Sequence, residues 1–264
     1  MKLRDLHYRR ERNLGIITLN RPEVLNAVRE ETWEDLLTVI KEVGEDDNVR
    51  CLVITGEGKA FSAGQDIKEM GELMQQDMDY YSLRQQVEQI QFVTKEIMHL
   101  SKPAIAAVNG YAIGAGAELS IACDIRFASL KARFEFAEVK VGLFETNGVT
   151  YLLPKLIGLG RAKELMLTGR PVDAEEAYRI GLVNRVFDPE ALLAETFNIA
   201  EEIAANAPVS LRYVKSCLNK SGEVSLEEAM TYETDAVMTC SYTQDVREGG
   251  MAFLQKRKPN FIGR

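Results

Sequence analysis

Four short runs constrain the fold of this chain more than any other feature: Gly15–Leu19 (GIITL), Cys51–Thr55 (CLVIT), Ala104–Val108 (AIAAV) and Ile125–Ala128 (IRFA). Each is bounded by turn residues, and each is too short and too β-branched or small to read as a helix. Such runs read as short, buried strands. Helical patterns separate them. One opens at Asn26 or a neighbour and runs to about Val43, with Trp33, Leu36, Leu37 and Ile40 on one face. A long polar stretch rich in Met and Gln follows Gly64 and reaches about Leu100, where Pro103 ends it. Another begins where Gly114-Ala115-Gly116 turns into Ala117–Ala122. Strands alternating with helices predict an α/β core. From about Asp173 the pattern turns helical, with a last helix expected over Thr243–Gln255. The composition shift divides the chain into an α/β core over 1–199 and a helical region over 200–264.

At 264 residues, the chain suits one α/β body or a body with a small appendage, and 46% hydrophobic residues can fill a sizeable core. The net charge of −8 argues against nucleic acid as a partner, although an anionic ligand responds to local field and not to the total. No apolar run is long enough to span a bilayer. The Arg-rich N-terminus is interrupted by Asp5 and Glu11 and lacks an apolar signal core, so it reads as mature protein and the expected location is cytoplasmic. The four cysteines, Cys51, Cys123, Cys217 and Cys240, form no CxxC pair and read as reduced thiols.

Three segments carry residues suited to chemistry. Ala60-Phe-Ser-Ala-Gly-Gln-Asp-Ile-Lys68 follows a strand. Its small residues let backbone approach a ligand, and Asp66 can cap the next helix. An ordinary strand-to-helix loop would look much the same. Asn109-Gly-Tyr-Ala-Ile-Gly-Ala-Gly-Ala-Glu118 empties a strand into a helix start, where free amides and the helix dipole suit an anion. Close packing of helix on strand would also call for these small residues. Glu118 sits in the first turns of that helix. In Phe134-Glu-Phe-Ala-Glu138-Val-Lys-Val-Gly-Leu-Phe-Glu145, Glu138 and Glu145 lie seven apart among apolar residues, and a partly desolvated carboxyl has a raised pKa useful for proton transfer. Other motifs fail. Ala60 replaces the Ser/Thr of a P-loop, Leu119 stands where a dinucleotide fingerprint needs glycine, and two histidines, His7 and His99, are too few for a zinc site. Ala60-Phe-Ser62-Ala-Gly64 is one residue from a nucleophile elbow, which leaves a serine esterase as a rival class.

Together these segments resemble the enoyl-CoA hydratase/isomerase, or crotonase, superfamily across nearly the whole chain. The resemblance lies in the order and spacing of NRPEVLNA at 20–27, AFSAGQDIK at 60–68 and KPAIAAVNGYAIGAGAEL at 102–119. It continues through CDIR at 123–126, LTGRPVDAEEA from Leu167, GLVNRV at 181–186 and FLQKRKPNF at 253–261. It implies a crotonase-like spiral of β-β-α units with a helical C-terminal region that builds trimers, often paired into hexamers. It also implies an acyl-CoA thioester as substrate and no separate cofactor or metal, since coenzyme A is part of the substrate. The amides of Gln65 and Ala115 correspond to the family's oxyanion donors, and Glu118 and Glu138 to the two glutamates of its hydratases. Val24, Ala63 and Gln65-Asp66-Ile67-Lys68 correspond to the CoA-binding segment, with Phe253 and Lys256 supplied from a neighbouring subunit. The stretch Glu69–Met98 is expected to border the acyl pocket. The implied reaction is hydration of a 2,3 double bond.

Departures bear on specificity. Gln65 and Ala115 stand where hydratases more often have Ala and Gly, and Glu145 stands where most have proline. A third acid there suits isomerisation, other C–C bond chemistry or a polar acyl group, or it caps the next helix.

Overall fold

The computed structural model describes residues 2–75 and 79–264. The four apolar runs form the centre of one sheet, as parallel strands β2 (Leu14–Leu19), β3 (Cys51–Gly56), β5 (Ala104–Val108) and β7 (Ile125–Ser129). Their register sets Ile16 beside Val53, Val53 beside Ile105 and Ile105 beside Ile125. Two strands extend the sheet beyond these runs. β1 (Leu6–Glu11) joins β2 in an antiparallel hairpin, and β10 (Arg185–Phe187) pairs in parallel with β7.

Alternate side chains of the sheet serve two cores. Ile17, Leu19, Leu52, Ile54, Ala104, Ala106 and Val108 face one, which is shared with helix α1 (Glu30–Glu45). Leu14, Ile16, Cys51, Val53, Ile105, Ala107 and Phe127 face the other and meet Leu192, Ala200 and Ala204 of α8 (Leu192–Ala204). Burial on both faces is why β2, β3 and β5 read as nearly continuous apolar runs; β7 is interrupted by Arg126, whose buried guanidinium donates to the carbonyls of Leu182 and Cys123.

The chain then spirals. After each central strand it turns into a short strand of a second sheet and then into helix. Thus β3 leads to β4 (Ala60–Ser62) and on to α2 (Ile67–Gln75) and α3 (Tyr80–His99). β5 leads to β6 (Tyr111–Ile113) and α4 (Ala115–Ala122). β7 leads to β8 (Arg133–Glu135), a 3-10 turn over Glu138–Val141, and then α5 (Val149–Ile157) and α6 (Leu159–Thr168). β9 (Val172–Asp173) closes the second sheet against β8 and leads into α7 (Ala174–Ile180). In the first turn a single parallel bridge, Val28 to Gln65, stands in for the short strand.

Several boundaries differ from the sequence reading. α1 starts at Glu30, not near Asn26. Asn26 has a left-handed φ of 57°, and its buried amide accepts from Arg21 N and donates to the carbonyls of Glu57 and Ala60. Its side chain ties two loops together, so it neither caps nor enters the helix. The polar stretch after Gly64 is two helices, α2 and α3, the second capped by Asp79. The 199/200 division falls inside α8, which runs unbroken to Ala204 because Ala200 and Ala204 are part of the outer core.

Beyond α8 come α9 (Pro208–Asn219), α10 (Leu226–Ser241) and α11 (Gln244–Leu254), the last capped by Thr243. Lys215 anchors α9, its Nζ lying 2.8 Å from Asp124 Oδ2 and donating to the carbonyls of Ile97 and Lys102. α10 buries no residue within this chain, and Leu226, Met230, Val237, Met238 and Tyr242 along and beyond it are exposed. None of the described helices is long and apolar enough to cross a membrane.

Candidate active site

The parallel pairing of β4 with β6 brings two bends side by side, one after each strand. Their closeness can be gauged from the glycines. A methyl placed on Gly116 would stand 2.4 Å from the Ser62 carbonyl oxygen. One placed on Gly64 would stand 2.7 Å from the Ile113 oxygen and 3.6 Å from the Ala115 nitrogen. The close-packing reading and the ligand reading of these small residues are therefore both served by one geometry. The packed glycines bring the bends together, and the bends carry the amides.

Among the described residues, neither the Gln65 nor the Ala115 N–H donates a hydrogen bond to protein. In the first bend the ladder to Val28 engages the Gly64 carbonyl and the Asp66 amide and passes over Gln65. Ala115 opens α4, where an N–H has no intrahelical acceptor. Unpaired donors at such a site suit an oxygen carrying negative charge.

Glu118 lies one turn into α4 and is 1% exposed. Three donors face its carboxylate, all from the segment before α5: Thr146 N at 3.0 Å, Asn147 Nδ2 at 2.8 Å and Thr146 Oγ at 3.4 Å. Burial raises its pKa above the ordinary glutamate value, and the donors from Asn147 and Thr146 offset part of that rise.

Glu138 opens the 3-10 turn after β8. The pairing of Ile113 with Glu135, extended by Gly114 N donating to the Glu135 carbonyl at 2.8 Å, sets this turn against the start of α4. Gly114 holds a φ of 49° with ψ of −121°, a backbone that requires glycine, and a methyl there would fall 2.6 Å from Glu138 Oε1 and push that carboxylate aside. Burial, with the nearby charges of Glu118, Glu145 and Glu135, pushes the Glu138 carboxyl up to about 7. Its Oε2 is buried and has no hydrogen-bond partner among the described residues.

Glu145 is 7% exposed, and its charge bears on both Glu118 and Glu138. It does not cap α5. The N-cap is Gly148, with no side-chain capping bond. The three carboxylates form no ion pair with a cation, and no group of three acidic, His or Cys residues is arranged to hold a metal, among the described residues.

The first bend also gathers the residues expected to bind the nucleotide half of a ligand. Ala63 N donates to the Leu25 carbonyl, which draws the Pro22–Val24 3-10 turn against it. Asp66 is buried and paired with Arg21 at 2.9 Å, and it also accepts from Lys68 N. Burial works to raise its pKa, but Arg21 and the Lys68 amide bring it below the ordinary value. Ile67 and Lys68 are exposed beside it. Val24, Ala63, Gln65, Asp66, Ile67 and Lys68 thus form one group, joined through the second bend to Ala115, Glu118, Glu138 and Glu145. Phe253 and Lys256 do not join it within one chain. Both are exposed at the end of α11, and the tail beyond them packs by Arg50, ahead of β3 and away from its Gly56 end.

Ser62, the possible esterase nucleophile, is fully buried and its Oγ accepts from Gly64 N, so it builds the bend. His7 lies in β1 and His99 at the end of α3, neither hydrogen-bonded to it. Of the stretch Glu69–Met98, residues 76–78 lie outside the described residues. Glu69 meets Gln65 Nε2 at 2.9 Å, and Gln91 donates to the Thr146 carbonyl beside Glu118.

A model of one protein family, enoyl-CoA hydratase/isomerase, matches residues 9–264. The chain belongs to this family. It is 39% identical to crotonyl-CoA hydratase of Syntrophomonas wolfei, with all of both chains covered. It is 37% identical to short-chain-enoyl-CoA hydratase of Clostridium acetobutylicum, covering 98% of this chain and 97% of the relative. A crystal structure of enoyl-CoA hydratase from Bacillus anthracis is similar over 99% of this chain and all of that one, with a TM-score of 0.93 and 35% identity. The spiral of β-β-α units is the family's fold.

The sequence reading had the acids but missed the groups that position them. Thr146 and Asn147 serve Glu118 from 28 and 29 residues downstream. A Thr-Asn pair beside a buried acid and ahead of a glycine is the signal that pointed to them, and its meaning depends on the fold.

Proposed function

We propose that this protein adds water across the 2,3 double bond of an enoyl-CoA thioester. The observation that carries this reading is the pair Glu118, buried, and Glu138, half-buried, electrostatically coupled beside two amides with no partner among the described residues. The thioester oxygen accepts from Gln65 N and Ala115 N, which draws electrons from C3 towards the carbonyl. Glu118, held as an acceptor by Thr146 and Asn147, orients the water and takes one proton as the C3–O bond forms. The C2=C3 electrons pass to an enolate-like oxygen at the two amides, and Glu138 delivers its proton to C2. A carboxyl with a pKa of about 7 suits a proton donor near neutral pH. Proton exchange between the two glutamates and solvent restores the starting state.

Coenzyme A enters as part of the substrate. Val24, Ala63 and Asp66–Lys68 line its path, and Phe253 and Lys256 complete the site from a second copy, in a trimer or pair of trimers assembled through the uncovered faces of α9–α11. A cationic tail near phosphates fits this role despite the acidic whole. The activity test is loss of the conjugated-thioester absorbance of crotonyl-CoA with appearance of 3-hydroxybutyryl-CoA. Glu118→Gln should lower kcat by ~10²-fold or more. Absence of hydration across a series of 2-enoyl-CoAs by folded, CoA-binding protein would reject the proposal. Glu145 beside both acids favours double-bond migration as a second reading, detected by deuterium exchange at the α or γ carbon without net addition of water.

A further inference from the structure

Two acceptors in the segment that holds Glu118 have no donor among the described residues. Glu145 Oε1 and Asn147 Oδ1 are both buried and without a hydrogen-bond partner, in residues 7% and 2% exposed. The Asn147 amide has one sensible orientation. Its Nδ2 donates to Glu118 Oε2 at 2.8 Å, so its Oδ1 is turned away from that carboxylate. Thr146, which stands between the two residues, donates its N–H to Glu118 at 3.0 Å, and this sets both residues beside the acid that handles the water in the proposed reaction. A buried acceptor without a donor is costly to the fold, and it recovers that cost when a donor arrives. A metal cation does not suit the place, since the acids are not arranged to hold one among the described residues. A plain hydrocarbon chain would leave both acceptors dry, and a carboxylated chain would be repelled by three acids.

We propose that Glu145 Oε1 and Asn147 Oδ1 form an acceptor subsite that selects 2-enoyl-CoAs whose acyl chain carries a hydroxyl group. The subsite rests on the hydratase reading for its placement beside C3, but its selectivity can be measured without turnover. The hydroxyl donates to Glu145 and accepts nothing from it, so selectivity needs the carboxylate and not merely the room. A site built to pair a buried polar group discriminates strongly against the analogue that lacks it.

The test uses matched pairs: crotonyl-CoA against 4-hydroxycrotonyl-CoA, and pent-2-enoyl-CoA against 5-hydroxypent-2-enoyl-CoA. In one pair the hydroxylated substrate should have a kcat/KM ~10-fold or more above its partner, the discrimination expected of a buried charged acceptor. In Glu145→Met that ratio should fall to one or below. The readout is a ratio within each variant, so any general loss of activity cancels. A second arm measures Kd for unreactive 4-hydroxybutyryl-CoA against butyryl-CoA, and 5-hydroxypentanoyl-CoA against pentanoyl-CoA. It holds even for protein with no hydratase activity, which separates failure of the subsite from failure of the reaction. Should Glu145→Met not fold, Glu145→Gln serves, and the preference should drop several-fold as the charge is lost. Equal or weaker binding and turnover of both hydroxylated compounds, or a preference that survives substitution of Glu145, overturns the proposal.

Discussion

Replacing Glu138 with glutamine tests whether this residue is the proton donor. Its carboxyl is raised from 4.5 to about 7. At pH 7 a group of pKa 7 is ~50% protonated, while one of pKa 4.5 is ~0.3% protonated, so the environment multiplies the available acid by ~150-fold. The sign follows from the role. The donor must carry its proton, so activity is present below the raised pKa and lost as pH climbs through it. The alkaline limb of kcat/KM should therefore fall near pH 7, as a property of the coupled acids and not of one residue alone. Glu138→Gln should lower kcat by ~10²–10⁴-fold and abolish that limb. Glu145→Gln should move the limb to lower pH, because the Glu145 charge is among the causes that raise Glu138. The assay is kcat/KM for crotonyl-CoA from about pH 5 to pH 9, repeated with crotonyl-pantetheine to remove phosphate groups that titrate near pH 6. An alkaline limb unchanged in Glu138→Gln, or moved upward in Glu145→Gln, would refute the assignment.

Asn147→Ala removes the shortest bond to Glu118, which stabilises the anion. The acid limb of kcat/KM should move to higher pH and kcat should fall ~10-fold, and an unmoved limb would count against the role given to Asn147. Gly116→Ala forces a methyl to 2.4 Å from a backbone oxygen, so stability should drop by ~1–3 kcal/mol, read from chemical denaturation. Lys215→Met strips a largely buried cation from Asp124 and from two carbonyls, and a loss of ~3–5 kcal/mol is expected, with faster amide exchange in α9.

Three of the central strands were legible because burial on both faces leaves a nearly unbroken apolar run, and the fourth, β7, showed through despite Arg126. The second sheet was not. AFS, YAI and RFE are three-residue strands, too short to show a period, and they form because each is laid beside the last by the spiral. β1, LHYRRE, escaped notice because most of it faces water, and only Leu6 and Asp5 before it are firmly buried. Asn26 looked like a helix cap because its type favours caps, but the carbonyls it bonds belong to residues 57 and 60, which no local pattern relates to it. At the site, small residues at two bends announced close backbone approach. What the sequence withheld was distance. Glu118 reads as an ordinary acid in an apolar helix until Thr146 and Asn147 fold back over it.

The spiral has a consequence for how such a protein changes its chemistry. One coil contributes Gln65, the next Ala115 and Glu118, and the one after it Glu138 and Glu145, each just past a short strand of the same layer. The working groups are thus stacked like teeth on successive gears, each held by its own rung of pairing. Exchanging the acid on one coil leaves the amides on the others where they are, so new reactions can arise by altering one tooth at a time on a shared electrophile-gripping frame.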